Sequence, residues 1–165
     1  GACYVTLHHA PLAVYKAYKR GNYPITNDMT IFEDMKVRFG AYGDPSAIPT
    51  QILASIKAVV KNNTSYTHQW KRGDKILKRV SMASVDSIAE QKQAVSEGWR
   101  TFRVTSDLSD KLANEIVCPN TTKAIQCADC GLCSGTSSKA KNIVIEVHGS
   151  KKGNFEKQKL AIQQG

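Results

Sequence analysis

Short runs rich in β-branched and aromatic residues alternate along the chain with stretches of helical periodicity, and Gly, Pro or Asp stands at the junctions. Lys36 to Tyr42 (KVRFGAY) predicts the first strand. From Pro45 to Val60, the residues Ile48, Ile52, Ile56 and Val59 or Val60 share one face of a helix. Asp44 reads as an N-cap with Pro45 at the first helical position, and Pro49 sets a later start as the alternative, because proline is poorly tolerated beyond the first turn. Ser65 to Trp70 and Arg79 to Val85 predict two further strands, followed by an amphipathic helix from Ser87 to Glu97 that Gly98 ends. Thr101 to Val104 is the next strand, and a short helical segment from Ser106 to Leu112 leads to Glu115 to Val117. Asn142 to Val147 closes the series. Helix signals at Pro11 to Arg20 and Asn27 to Met35 precede the alternation and would cover the sheet or one end of it.

Strands alternating with helical patterns imply βαβ units and a parallel sheet. The expected fold is α/β, with about six mostly parallel strands in an open sheet or partial barrel, since a complete eight-unit barrel takes ~250 residues. No internal repeat or long linker divides the 165 residues, which predicts one domain over 1–165 with a Cys-rich loop at 118–138. A hydrophobic content of 41% with 22% charged residues is ordinary for a folded domain of this length. The longest apolar runs, such as Ile143 to Ile145, fall far short of the ~20 residues of a membrane span. The chain opens Gly-Ala-Cys without Met, which points to a processed, engineered or truncated start.

Five cysteines change the picture: Cys3 stands alone, whereas Cys118, Cys127, Cys130 and Cys133 share one window. An odd count in a long chain argues for reduced thiols rather than a disulfide framework, and so for a reducing compartment. Cys127-Ala-Asp-Cys130-Gly-Leu-Cys133 is a C-x2-C-G-x-C run. Three thiolates on a tight loop can each reach one iron of a cubane, and the glycine lets the backbone turn toward the sulfides. The run resembles the cluster-binding loop of bacterial-type ferredoxins. That resemblance implies a remote fourth ligand followed by proline, which Cys118-Pro119 supplies, with Cys3 as the competitor. The further C-P of two-cluster ferredoxins is replaced by Ser137-Ser138, leaving one cluster at most. Zinc is the rival, since four cysteines also make an ordinary tetrahedral site; reduced structural thiols without metal are the plain alternative.

A wider set of segments carries a second resemblance: Gly1 to Val5, Ala10-Pro11, Lys16 to Pro24 (KAYKRGNYP), Arg38 to Pro45, Tyr66 to Trp70, Met82 to Asp86, Gly98 to Arg103 and the Cys window. Together they resemble a family of phage-encoded cysteine-rich proteins that brings no established activity. The resemblance implies a place in the cytoplasm of a host cell. It also implies further cysteines upstream of Gly1, so that Cys3 would belong to a site whose other half is absent.

Ligands of parallel α/β folds bind outside the carboxyl ends of the strands. The residues expected there are Tyr42 and Asp44, His68 and Trp70, Asp86, Arg103, Cys118 and His148. In an enzyme of this kind His68 or an Asp (Asp44, Asp86) would serve as general base and Arg103 would hold an anionic group. Each also has a structural reading: Asp44 and Asp86 as helix N-caps, His68 as a core histidine, Arg103 as partner of a carboxylate. No Walker-type loop, G-x-G-x-x-G or G-x-S-x-G is present, so standard nucleotide loops and the hydrolase elbow are unsupported.

The formal charge of +9 is concentrated in patches. Lys16, Lys19 and Arg20 interleave with Tyr15, Tyr18 and Tyr23, and Lys71 and Arg72 begin a second cluster that runs to Arg79. Cations neutralise phosphates while aromatic faces stack on unpaired bases, so nucleic acid is the expected partner, with a merely solvated basic surface as the alternative. The sequence therefore predicts an α/β protein that holds an iron-sulfur cluster or zinc and contacts nucleic acid. An enzyme working at the strand ends on a small anionic substrate, or a structural or regulatory protein without chemistry, are the other two expectations.

Overall fold

In a computed structural model of the chain, residues 9–137, 139–148 and 153, 155 and 157 are described. Six parallel strands form one open sheet in the order β1-β2-β3-β4-β6-β5. They are β1 (Lys36–Phe39), β2 (Asn62–Thr67), β3 (Met82–Val85), β4 (Thr101–Thr105), β5 (Glu115–Val117) and β6 (Asn142–Glu146). The sheet is not closed into a barrel, so of the two expected arrangements the open one is found.

The helices are α1 (Ala10–Lys19), α2 (Thr50–Val59), α3 (Ile88–Ser96), α4 (Pro119–Lys123) and α5 (Cys127–Cys130). The predicted helix from Pro45 is split: Pro45–Ala47 is a single 3-10 turn, and α2 begins only after Pro49, which occupies its N-cap. Pro49 makes the break, since it has no N–H to donate to the Pro45 carbonyl and it favours the extended conformation of Ile48 before it (ψ 132°). Ser87 caps α3 by accepting from the Glu90 N–H, and the Glu90 carboxylate turns back to accept from the Asp86 N–H. That exchange is close to a capping box. The segments predicted as helical at Asn27 to Met35 and Ser106 to Leu112 contain only the 3-10 turns Met29–Phe32 and Leu108–Asp110.

The chain groups into two compact units, Met29–Glu146, which carries the sheet, and Gly1–Asp28 with Val147–Gly165, which carries α1. Within the larger unit the sheet has two differently furnished faces. On one, Phe39, Leu53, Trp70, Leu77, Val80, Val85, Ala94 and Trp99 form the main core beneath α2 and α3. On the other, Met82, Ile143 and Ile145 pack with Cys118 and Cys133 and with Tyr66, Phe102, Ile116 and Leu132. Among the described residues of the larger unit, the segment from Cys118 onward packs on the second face through Cys118, Leu132 and Cys133. Among the described residues, no helix is long and apolar enough to cross a membrane.

Candidate functional site

Parallel pairing places every second residue of β1 and β2 on the same face, and the register aligns Lys36 with Asn62 and Arg38 with Thr64. Tyr66 continues that row and lies on the cysteine side of the sheet. β2 pairs with β3 only at Tyr66 and Thr67, so its first half makes no strand ladder on that edge. The cysteine segment fills the gap: the Ser65 N–H donates to the Cys133 carbonyl at 3.0 Å. The cysteines therefore lie across a face of the sheet, whereas a loop rising from the strand-end rim was expected.

Cys118, Cys127, Cys130 and Cys133 line one cavity together with Thr64, Tyr66, Pro119, Asn120, Ile125, Gly131 and Leu132. All four are free thiols; Cys118 and Cys133 are buried, and Cys127 and Cys130 are half-buried. α5 holds Cys127 and Cys130 one helical turn apart. Gly131 then takes a left-handed conformation (φ 66°), its N–H bonded to the Cys127 carbonyl, and packs so closely on the Asn62 amide that a Cβ would not fit. Cys118 follows β5, with its N–H donating to the Val144 carbonyl of β6 at 2.9 Å.

Two polar side chains tie the segment down. The Arg100 guanidinium donates through Nη1 to the Leu132 and Gly135 carbonyls (2.7 and 2.9 Å) and through Nη2 to the Lys141 carbonyl (2.7 Å). Tyr66 hydrogen-bonds the Cys133 thiol, and its own hydroxyl is held well above the usual phenol range by burial and by the neighbouring cysteine. Burial pushes the Cys133 thiol up to about 12; the Tyr66 bond opposes the shift, while Cys118, Cys127 and Cys130 add to it. A metal ion bound beside Cys133 would reverse that shift, since a coordinating thiol is deprotonated.

The donor set suits a soft metal, but its present geometry is not that of a loaded site. No group of three His, Cys, Asp or Glu among the described residues is disposed to hold a single ion. Sulfurs around one zinc stand only about 3.8 Å apart, given Zn–S bonds of about 2.3 Å in a tetrahedron. The cavity itself encloses about 10 Å3, room for about one water. A cubane needs wider spacing, one iron per thiolate, and more room. Loading by either group therefore entails movement of the loop at 127–133. Cys3, the competing fourth ligand, lies outside the described residues.

At the carboxyl ends of the strands, Asp44 follows β1 and does more than cap a turn. Its Oδ1 accepts from the Ser46 N–H (2.9 Å) and the Thr67 hydroxyl (2.7 Å), and its Oδ2 from the His68 N–H (2.8 Å). Burial alone would raise the Asp44 carboxyl, but these bonds outweigh it and hold the group below its ordinary value. His68 is exposed, with Nδ1 4.0 Å from Asp44 Oδ2. Asp86 follows β3; partial burial pushes its carboxyl up, His68 opposes that and Glu90 adds to it. Asp44, His68, Asp86 and Glu90 thus share one rim. Lys71 joins them, its Nζ 2.7 Å from Glu90 Oε1 and 5.0 Å from the centre of the Trp70 ring.

Arg103 is not on that rim. β4 runs on to Thr105, so Arg103 sits inside the strand with its side chain buried under the main-core face. Its Nε and Nη2 donate to the two oxygens of the equally buried Glu115 (2.8 Å each), and Nη1 and Nη2 donate to Asp110 (3.1 and 3.0 Å). The guanidinium is spent on these carboxylates and cannot also hold a substrate. Trp70 is likewise core, Tyr42 is exposed, and His148 is exposed in the other unit.

Of the basic candidates, Lys16, Lys19 and Arg20 are exposed on or just after α1, beside exposed Tyr15 and Tyr18. Lys71 and Arg72 are exposed in the larger unit. A further basic feature was not selected by the strand-end rule: Lys36 and Arg38 of β1 line a second cavity beside Cys127 and Ala128. The alternation Lys-Val-Arg-Phe at 36–39 carries the signal, since it puts both cations on one side of the strand. No family model, curated protein or solved structure significantly matches the chain.

Proposed function

We propose that Cys118, Cys127, Cys130 and Cys133 bind an iron-sulfur cluster, with zinc as the alternative occupant, in a phage-type protein of the host-cell cytoplasm that contacts nucleic acid through its basic surface. The observation that carries this reading is the convergence of four free thiols, from the end of β5, from α5 and from the loop after it, on one cavity. The C-x2-C-G-x-C spacing of Cys127, Cys130 and Cys133, with each thiolate taking its own iron, is what favours a cluster over a single ion. Exposed Lys16, Lys19, Arg20, Lys71 and Arg72 support the nucleic-acid part, which requires binding that weakens steeply with salt.

Elemental analysis and an absorbance spectrum on anaerobically purified protein test the metal directly. Iron with acid-labile sulfide is the expected result; stoichiometric zinc would select the alternative. Cys130→Ser lowers the metal content and the melting temperature, because metal-binding free energy is in part folding free energy. Unchanged metal content and stability in that variant would refute the assignment.

A second reading, an enzyme working at the strand-end rim, is favoured by the grouping of His68, Asp86 and Glu90 beside Lys71. There His68 or Asp86 would exchange protons with a small anionic substrate, and Lys71, not Arg103, would face its charge.

A further inference from the structure

The cysteine segment covers β2 but ends its coverage at Cys127 and Ala128, leaving a cavity of about 200 Å3 over the β1–β2 pair. β1 is the edge strand of the sheet. Lys36, Arg38, Asn62 and Thr64 share the face that forms its floor. Val37 and Phe39 point the other way, into the main core, which fixes the register of the floor against slippage. Side chains able to donate hydrogen bonds therefore come from two strands, and two of them are cationic.

The cations are already arranged for an anion. Lys36 Nζ donates to Asp129 Oδ1 at 2.6 Å, a pair in which both side chains are largely exposed, so a stronger anion can displace or join the carboxylate. The Arg38 guanidinium lies over the Tyr66 ring, 5.7 Å from its centre, a packing that orients its planar fork. Thr64 and Cys127 line both this cavity and the cysteine site, so the two adjoin.

We propose that this cleft binds a phosphoryl group. A planar monocarboxylate is satisfied by one guanidinium fork, whereas a tetrahedral dianion draws donors from several directions and balances more than one cation. Lys36, Arg38, Asn62 and Thr64 offer that distribution. The inference stands on β1 and β2 and does not depend on a metal at the cysteines; the two assignments fail separately.

The test uses the full chain as purified, with pyrophosphate as the probe, citrate as a carboxylate control and a short single-stranded DNA as the polymeric source of the same group. Calorimetry and amide NMR shifts are read together. Saturable pyrophosphate binding with shifts at Lys36, Arg38, Asn62 and Thr64 is expected, weakened about tenfold or more in Arg38→Gln. Lys36→Gln provides a second variant should Arg38→Gln fail to fold, and Lys92→Gln on α3 removes the same charge from the other side of the sheet and leaves binding intact. Arg38-dependent binding of the DNA without binding of pyrophosphate supports the site and identifies a strand as its source. Citrate binding as tight as pyrophosphate, equal loss in Arg38→Gln and Lys92→Gln, or no binding of either phosphoryl probe at millimolar concentration would overturn the proposal.

Discussion

Replacing Glu115 by alanine tests whether Arg103 belongs to the scaffold. Glu115 is fully buried and accepts three hydrogen bonds, two from Arg103 and one from the Leu112 N–H at 2.9 Å. Removing it strands a guanidinium that is 1% exposed, with Asp110 as its remaining carboxylate. Breaking a buried pair costs about 3–5 kcal/mol, and Asp110 keeps the expected value near the lower end. At a urea dependence of about 2 kcal/mol per M, a loss of about 3 kcal/mol lowers the unfolding midpoint by about 1.5 M. The double variant Arg103→Met with Glu115→Leu recovers most of the loss, because apolar residues of similar volume replace a buried pair at little cost. Urea titration followed by circular dichroism reads both effects. A loss below about 1 kcal/mol in Glu115→Ala, or a double variant no more stable than the single, would refute the scaffold assignment. Because the pair lies on the face opposite the cysteines, any metal bound under the proposed assignment stays unchanged at equal folded protein.

Two more outcomes follow from named contacts. Asp44→Asn costs about 1–3 kcal/mol at neutral pH, since a charged acceptor of three hydrogen bonds is replaced by a neutral one. The folded Asp44 carboxyl lies below its unfolded value, so its stabilisation is complete above the unfolded pKa of about 3.9 and disappears as pH falls through the folded one. The stability gap between wild type and variant therefore holds from pH 7 to about 5 and closes in more acidic solution, as thermal melts across pH will show. Gly135→Ala destabilises by about 2 kcal/mol or more. Gly135 has φ 67°, and a Cβ would stand 2.5 Å from the Lys78 carbonyl oxygen, which is backbone and cannot move aside. A melting temperature within error of wild type would contradict this.

The fold was legible because parallel strands buried on both faces and helices with one apolar face leave different periods in the sequence. Pro49 was legible too, as a late helix start, since its missing N–H acts locally. Arg103 was harder. Its role depends on Asp110 and Glu115, seven and twelve residues further on, which reach it only because the chain turns back after β4 and places β5 in the same sheet, with β6 between them. The spacing of Cys127, Cys130 and Cys133 shows that the three are neighbours, but nothing local says that the segment crosses a sheet face or fills the unpaired edge of β2. Lys36 and Arg38 alternate with apolar residues and could be assigned to one face from sequence; that the face stays uncovered beside Cys127 is a tertiary fact.

The two faces of the sheet are held by different means, and the contrast bears on function. The main-core face is sealed by α2 and α3 and by internal pairs such as Ser65 with Ser81 (2.6 Å) and Arg103 with Glu115. The other face must also be covered, because a parallel sheet buries both of its surfaces. Among the described residues of the larger unit, its cover is made of α4 with five residues, α5 with four, and loops. Helices that short are not stable by themselves, and the apolar groups they and the loops bring, chiefly Leu132 and the thiols of Cys118 and Cys133, are few. Arg100 fastens the far end at three carbonyls and Ser65 fastens the middle, yet neither holds Cys127 or Cys130. A group bound by all four sulfurs would close that remaining span, joining the end of β5 to α5 and to Cys133. Under the proposed assignment, the bound group thus makes the cysteines act together across this span and not as four separate thiols.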